Sequence, residues 1–170
     1  LLLALVALVC VAILGLVNQL TQPKIAEQQL ANKLAILNDV LPQSSANAAL
    51  LADCILVTNP PLLGRPTAQS VYRLRGNDSV NAFVIETTAP DGYSGNIDLI
   101  VAIQPDGTVL GSRVLNHQET PGLGDKIERR RSSWIESFNG KQVTSENESA
   151  WAVKKDGGQF DQFTGATITP

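Results

Sequence analysis

The sequence predicts an α+β domain with a mainly antiparallel sheet and flanking helices, carried behind an N-terminal transmembrane helix. Three observations predict it. Leu1 to Val17 is an unbroken run of apolar residues and Gly15. Ile25, Leu30, Leu34, Leu37 and Leu41 recur near helical spacing, with polar residues between them. From Val71 to Asn116, segments rich in β-branched residues are separated by tight-turn signals. Helices first and strands after argue for α+β rather than an alternating α/β chain.

The apolar run, as a helix, spans about 25 Å, slightly less than a hydrocarbon core of about 30 Å. Asn18 and Gln19 end it, and Thr21-Gln22-Pro23-Lys24 marks the interface, so residues 1–20 read as a membrane span. No small-x-small signature follows the run, which disfavours a cleaved signal peptide. Bulky Val9 before Cys10, and apolar residues after it, disfavour a lipoprotein signal. The chain opens on Leu1 without methionine and stops at Pro170, which reads as a fragment with sequence missing at both ends. Orientation therefore does not follow from flanking positive charges.

Ile25 to Leu41 reads as a second helix, ended by Pro42. Gln43 to Ala52 is Ser-, Asn- and Ala-rich and reads as a loop with a helical turn, while Asn59-Pro60-Pro61 and Gly64-Arg65-Pro66 are breakers. Residues 21–66 thus form a connecting region, and 67–170 a folded domain cut short at its C-terminal end. Within it, Val71 to Arg75, Ala82 to Thr88, Asn96 to Gln104 and Val109 to Asn116 read as strands. Leu99 to Ile103 is apolar on both faces, the pattern of a central strand. Pro105-Asp106-Gly107-Thr108 is a turn. Trp134, Ile135 and Phe138 suit a short helix ending at Asn139-Gly140. Trp151-Ala152-Val153 suggests one more strand, turned at Asp156-Gly157-Gly158.

Composition narrows the chemistry. A net charge of −3 without a large basic patch argues against nucleic acid as a partner. Arg129-Arg130-Arg131 reads as a solvated helix face or a partner contact. Cys10 in the membrane run and Cys54 beyond it cannot pair within one chain, and two isolated thiols with one histidine, His117, make no metal site.

Three clusters carry candidate chemistry. In Asp161-Gln162-Phe163-Thr164-Gly165-Ala166-Thr167, two very small residues precede the Thr167 hydroxyl, so a bulky reagent reaches it. Such a hydroxyl needs help to act as a nucleophile. In His117-Gln118-Glu119-Thr120-Pro121-Gly122-Leu123-Gly124, a tight loop follows a strand. Its backbone N–H groups suit an anion or the polar edge of a heterocycle, and equally a plain connecting turn. In Asp91-Gly92-Tyr93-Ser94-Gly95, Tyr93 suits stacking on a ligand or covering the core.

G-Y-x-G, a hairpin, H-x-E-T-P-G-L-G-D-K-I and D-x-x-[ST]-G-A-T-x-T, in this order, resemble the RnfG (RsxG) family, the periplasmic FMN-binding component of the Rnf (Rsx) electron transport complex. The resemblance covers essentially the whole chain. The C-type component of the sodium-pumping NADH:quinone reductase shares the flavin domain and ranks second, because the compact His117 to Ile127 stretch is closer to the Rnf type. Thr164 stands where serine is common, which keeps a hydroxyl. The resemblance implies that a flavin transferase, using FAD and magnesium, joins FMN through its phosphate to Thr167 and releases AMP. Asp161 and the small residues would fit the transferase's recognition motif, and Thr164, Gly165 and Ala166 would lie against the flavin beside Thr167. Glu119, Thr120, Gly122, Leu123 and Tyr93 would line the flavin pocket, with His117 a further candidate. The protein would then carry electrons for a complex that moves ions across a bacterial inner membrane, its flavin domain on the periplasmic side, beside the complex's other subunits. A cofactor-free membrane-anchored module and a hydrolase using Thr167 are the alternatives. The second has thin support, because the lone histidine belongs to a different cluster.

Overall fold

A computed structural model describes residues 2–41, 48–76 and 79–170. It resolves into two compact units, residues 1–36 and 37–170. Helix α1 (Leu2–Val40) supplies the described residues of the first unit and the opening residues of the second. It is one helix where two were expected. Pro23 lies inside it and does not break it. Proline offers no N–H to the carbonyl four residues back, and two residues earlier the Thr21 hydroxyl donates to the Val17 carbonyl at 2.9 Å. Its N-terminal part is long and apolar enough to cross a membrane, and Leu3, Leu8, Leu14 and Leu20 are exposed.

The second unit is built on a five-stranded antiparallel meander in the order β1-β2-β3-β4-β5. The strands are β1 (Cys54–Val57), β2 (Gln69–Arg75), β3 (Val80–Gly92), β4 (Gly95–Ile103) and β5 (Val109–Asn116). Two short helices accompany them: α2 (Ala48–Ala52), where a helical turn was expected, and α3 (Pro60–Leu63), where breakers were expected. Residues 43–47 of the expected Gln43–Ala52 loop lie outside the described residues. In α3 the first helical position holds proline, whose missing N–H has no helical partner to lose there.

Both faces of the sheet are covered. On one face, Tyr72, Val84, Ala102 and Gly111 stand in register across four strands and are buried. The same face of β5 carries Arg113, which binds Asp39 near the end of α1, and Leu37, Val40 and Leu41 beside it are buried. On the other face, Ile97 packs in one cluster with Ile127, Phe163 and Ala166, with Ala89, Leu99, Val114 and Trp134 against it. These contacts come from residues 124–170, which carry short 3-10 turns and no strand. Covering from both sides accounts for the doubly apolar β4, although β3, and not β4, is the middle strand.

Trp134–Phe138 forms a 3-10 turn, with Gly140 just beyond it at φ 73°. Trp151–Val153 is not a strand. Val153 makes an isolated parallel bridge to Phe160, and Lys154–Asp156 turns at once. Arg129, Arg130 and Arg131 are not a free helix face either. They lie in a turn and pair with Asp39 and Glu136, Glu128, and Asp125 in turn.

Candidate functional site

The site lies at the end of the sheet where the β3–β4 hairpin tip approaches the C-terminal end of β5. Asp98 in β4 pairs with Asn116, the last residue of β5, and Tyr93-Ser94 form the hairpin turn. Three residues beyond β5 comes Glu119, 6% exposed. One of its carboxylate oxygens accepts the Ser94 N–H at 3.0 Å, and the other accepts the Thr169 hydroxyl at 2.8 Å. A single buried carboxylate therefore joins the hairpin tip, the E-T-P-G-L-G turn and the end of the T-G-A-T segment. Neutral donors satisfy both oxygens, which is how a buried charged group is tolerated.

The turn is locked from within. Leu123 and Gly124 donate their N–H groups to the Thr120 carbonyl, and the Gly122 N–H donates to Asp125 at 2.8 Å. The Glu119 N–H donates to His117. The amides at 119, 122, 123 and 124 are thus engaged within the loop, so the expected anion-binding use of these N–H groups is not available there. Gly124 sits against Glu119, and a Cβ at residue 124 would lie 2.9 Å from the Glu119 Cβ. That close approach requires glycine.

Phe163 and Ala166 anchor the T-G-A-T segment by being buried. The Ala166 N–H donates to the Phe163 carbonyl at 3.2 Å, closing a tight turn with Thr164 and Gly165 at its corner. Gly165 has φ 85°, which suits glycine at the third position of a type II turn. A Cβ there would meet Leu123 Cδ2 at 3.0 Å, so the two predicted clusters touch. Thr164, Gly165 and Thr167 are exposed. Asp161 is 71% exposed in its side chain, pairs with Lys154, and offers its carbonyl to Trp134 Nε1–H at 2.7 Å.

Three large apolar side chains flank these contacts in water: Tyr93, 69% exposed, Leu123, 40% exposed, and Ile168, 60% exposed. Tyr93 precedes Ser94 and Ile168 precedes Thr169, the two groups that meet on Glu119. Thr120 is exposed beside them. Among the described residues no cluster of His, Cys, Asp and Glu suits a metal ion. The segments carrying Glu119, Leu123, Tyr93, Gly165 and Thr167, all singled out in the sequence, lie together. Ser94, Ile168 and Thr169 lie among them without having been singled out, although the final threonine of D-x-x-[ST]-G-A-T-x-T was a usable signal.

The Thr167 hydroxyl is accessible, the turn beside it is nearly bare, and exposed apolar side chains stand nearby, an arrangement able to receive a planar ring. Residues 92–170 match the family model of the FMN-binding domain. The fold and site thus define a flavoprotein that carries a helix able to cross a membrane. Residues 1–40 match the RnfG N-terminal region. The G-type component of the ion-translocating oxidoreductase complex of Salmonella typhimurium is 53% identical over 168 residues, 99% of this chain and 81% of that protein. The protein of the same description from Shewanella loihica is 50% identical over 169 residues, 99% of this chain and 80% of that protein. The chain belongs to this RnfG family of ion-translocating oxidoreductase complex subunits.

Proposed function

We propose that the chain holds FMN by a phosphoester to Thr167 and serves as an electron carrier within an ion-translocating membrane complex. The observation that carries this reading is the convergence at Glu119. It sets exposed Tyr93 and Ile168 around the segment that displays Thr167.

Each residue has a part. Thr167 gives the attachment oxygen. In the transfer, the bond from its oxygen to phosphorus replaces the phosphoanhydride bond of FAD, AMP leaves, and the hydroxyl gives up its proton. A flavin transferase with magnesium supplies that activation, and it reads Asp161 together with the small turn. Gly165 keeps the approach to Thr167 open. Tyr93, Leu123 and Ile168 cover the ring and exclude water from it. Glu119 holds their loops at fixed separation. Once bound, FMN supplies exchange of one or two electrons, and the protein fixes its position and surroundings. The α1 helix keeps the domain at the membrane beside the other subunits, with the flavin on the periplasmic side of a bacterial inner membrane.

The test is co-expression with a flavin transferase, followed by a denaturing gel viewed for flavin fluorescence and mass spectrometry of the Thr167 peptide. A fluorescent band that is lost in Thr167→Ala and kept in Thr164→Ala supports the assignment. A dark band with an unmodified Thr167 peptide rejects it.

A further inference from the structure

His117 follows β5 directly, and its side chain is 12% exposed. Its Nδ1 lies 3.0 Å from the Glu119 backbone nitrogen, whose N–H donates to it. Its Nε2 lies 2.8 Å from a Glu128 oxygen. A backbone N–H only donates, so Nδ1 must present its lone pair. The ring proton then sits on Nε2 and points at Glu128. Arg130 holds Glu128 from the other side through two N–H groups. The result is a continuous relay of contacts: Arg130 to Glu128, Glu128 to the ring, and the ring to the backbone of the residue whose carboxylate holds Ser94 and Thr169.

We infer that His117, with its Nε2 proton on Glu128 and its Nδ1 lone pair toward the Glu119 N–H, is a positioning residue that orients Glu119 and so fixes the spacing of the hairpin tip and the T-G-A-T segment. The inference rests on the proposed reading of these segments as the flavin site. The charged groups around the ring are Glu128, with Arg130 behind it, and the Glu119 carboxylate beyond the backbone contact. Asp125 pairs with Arg131 in the neighbouring turn.

The sequence contains a single histidine, so nitrogen-15 histidine labelling of the full chain in micelles, without a polyhistidine tag, reads this ring alone. The expected result is a protonated Nε2 and an unprotonated Nδ1 at neutral pH. A ring protonated at Nδ1 overturns the inference. The companion measurement is hydrogen exchange of the Ser94 amide. His117→Ala should speed it about tenfold, the effect of one hydrogen bond. His117→Asn places an oxygen where Nδ1 stood, so it should keep wild-type protection. Equal exchange in wild type, Ala and Asn variants overturns the positioning role. Should His117→Ala not fold, the tautomer and the Asn variant decide. Both readouts use the unloaded chain, so a bare Thr167 after co-expression refutes the flavin site and leaves this geometry standing. A loaded protein with one flavin potential in wild type and His117→Ala refutes positioning and leaves the flavin site standing.

Discussion

Arg113, buried on β5, binds both the side chain and the backbone carbonyl of Asp39 near the end of α1. Its remaining contacts are the Ser112 carbonyl at 2.7 Å and a longer approach to Glu136 at 3.8 Å. Asp39 also receives Arg129, from the segment that covers the opposite face of the sheet. One carboxylate therefore joins the helix end, an edge strand and the C-terminal cover.

The two partners differ in burial, 9% exposed for the Arg113 side chain and 37% for Asp39. Removing the exposed member leaves a buried cation behind. Asp39→Ala should cost about 2–3 kcal/mol, below the usual range for a fully buried pair because water reaches Asp39. Arg113→Met keeps the stem and removes the charge, and should cost about 1 kcal/mol or less. Denaturant unfolding of the full chain in micelles, followed by tryptophan fluorescence, should show this order. Equal losses would refute the asymmetry.

Acid should weaken the domain through Glu128. Hydrogen bonds from Arg130, opposed by burial and aided by His117, hold its carboxyl at about 2 against an ordinary 4.5. The folded state thus binds this proton later than the unfolded chain does. The stabilisation is complete above about 4.5 and drains away as pH falls toward about 2. Glu128→Gln should lower stability at neutral pH and flatten that limb of the stability profile. An unchanged acid limb would remove Glu128 from the account.

Gly124→Ala tests the Glu119 contacts by steric means. The new methyl meets the Glu119 side chain. Overpacking of this kind costs about 1–3 kcal/mol. The Ser94 amide should lose protection, and flavin loading should fall while Thr167 stays in place. Full loading with a protected Ser94 amide would show that Glu119 yields freely.

Trp134→Phe separates ring packing from hydrogen bonding. The indole meets Phe163 and Phe138 edge-on, each at 5.2 Å between ring centroids. Phenylalanine keeps an aromatic edge and loses the bond to the Asp161 carbonyl. A loss of about 1 kcal/mol is expected, with faster hydrogen exchange confined to residues near 161. Exchange spreading evenly through the sheet would instead mark Trp134 as a packing residue alone.

Much of the fold was legible, and the failures have physical causes. Val109–Asn116 was read with its true bounds because turn residues precede it and the His117 cluster follows it. The continuity of α1 was not legible, since proline argues locally for a break and neighbouring turns decide whether one occurs. Strand β1 is four residues long, between the end of α2 and the breakers at Asn59, too short for a period to register. Trp151–Val153 carries strand-like residues, yet its side chains serve an aromatic cluster in which Phe138 lies 4.5 Å from Phe160 between ring centroids. Its backbone pairing is confined to a local bridge with Phe160, and aromatic packing holds the rest. At the site, glycines and hydroxyls flagged the turns. The meeting of Ser94 and Thr169 on Glu119 is tertiary and left only the motif's last threonine as a trace.

The partners gathered by Glu119 stand 25 positions before it and 50 after it in the chain. No short stretch of this polypeptide can therefore build the apolar shelf by itself. A nascent chain has nowhere to seat a ring until the residues near 169 have folded back over a finished sheet. On the proposed flavin site, cofactor seating thus waits on the completeness of the domain.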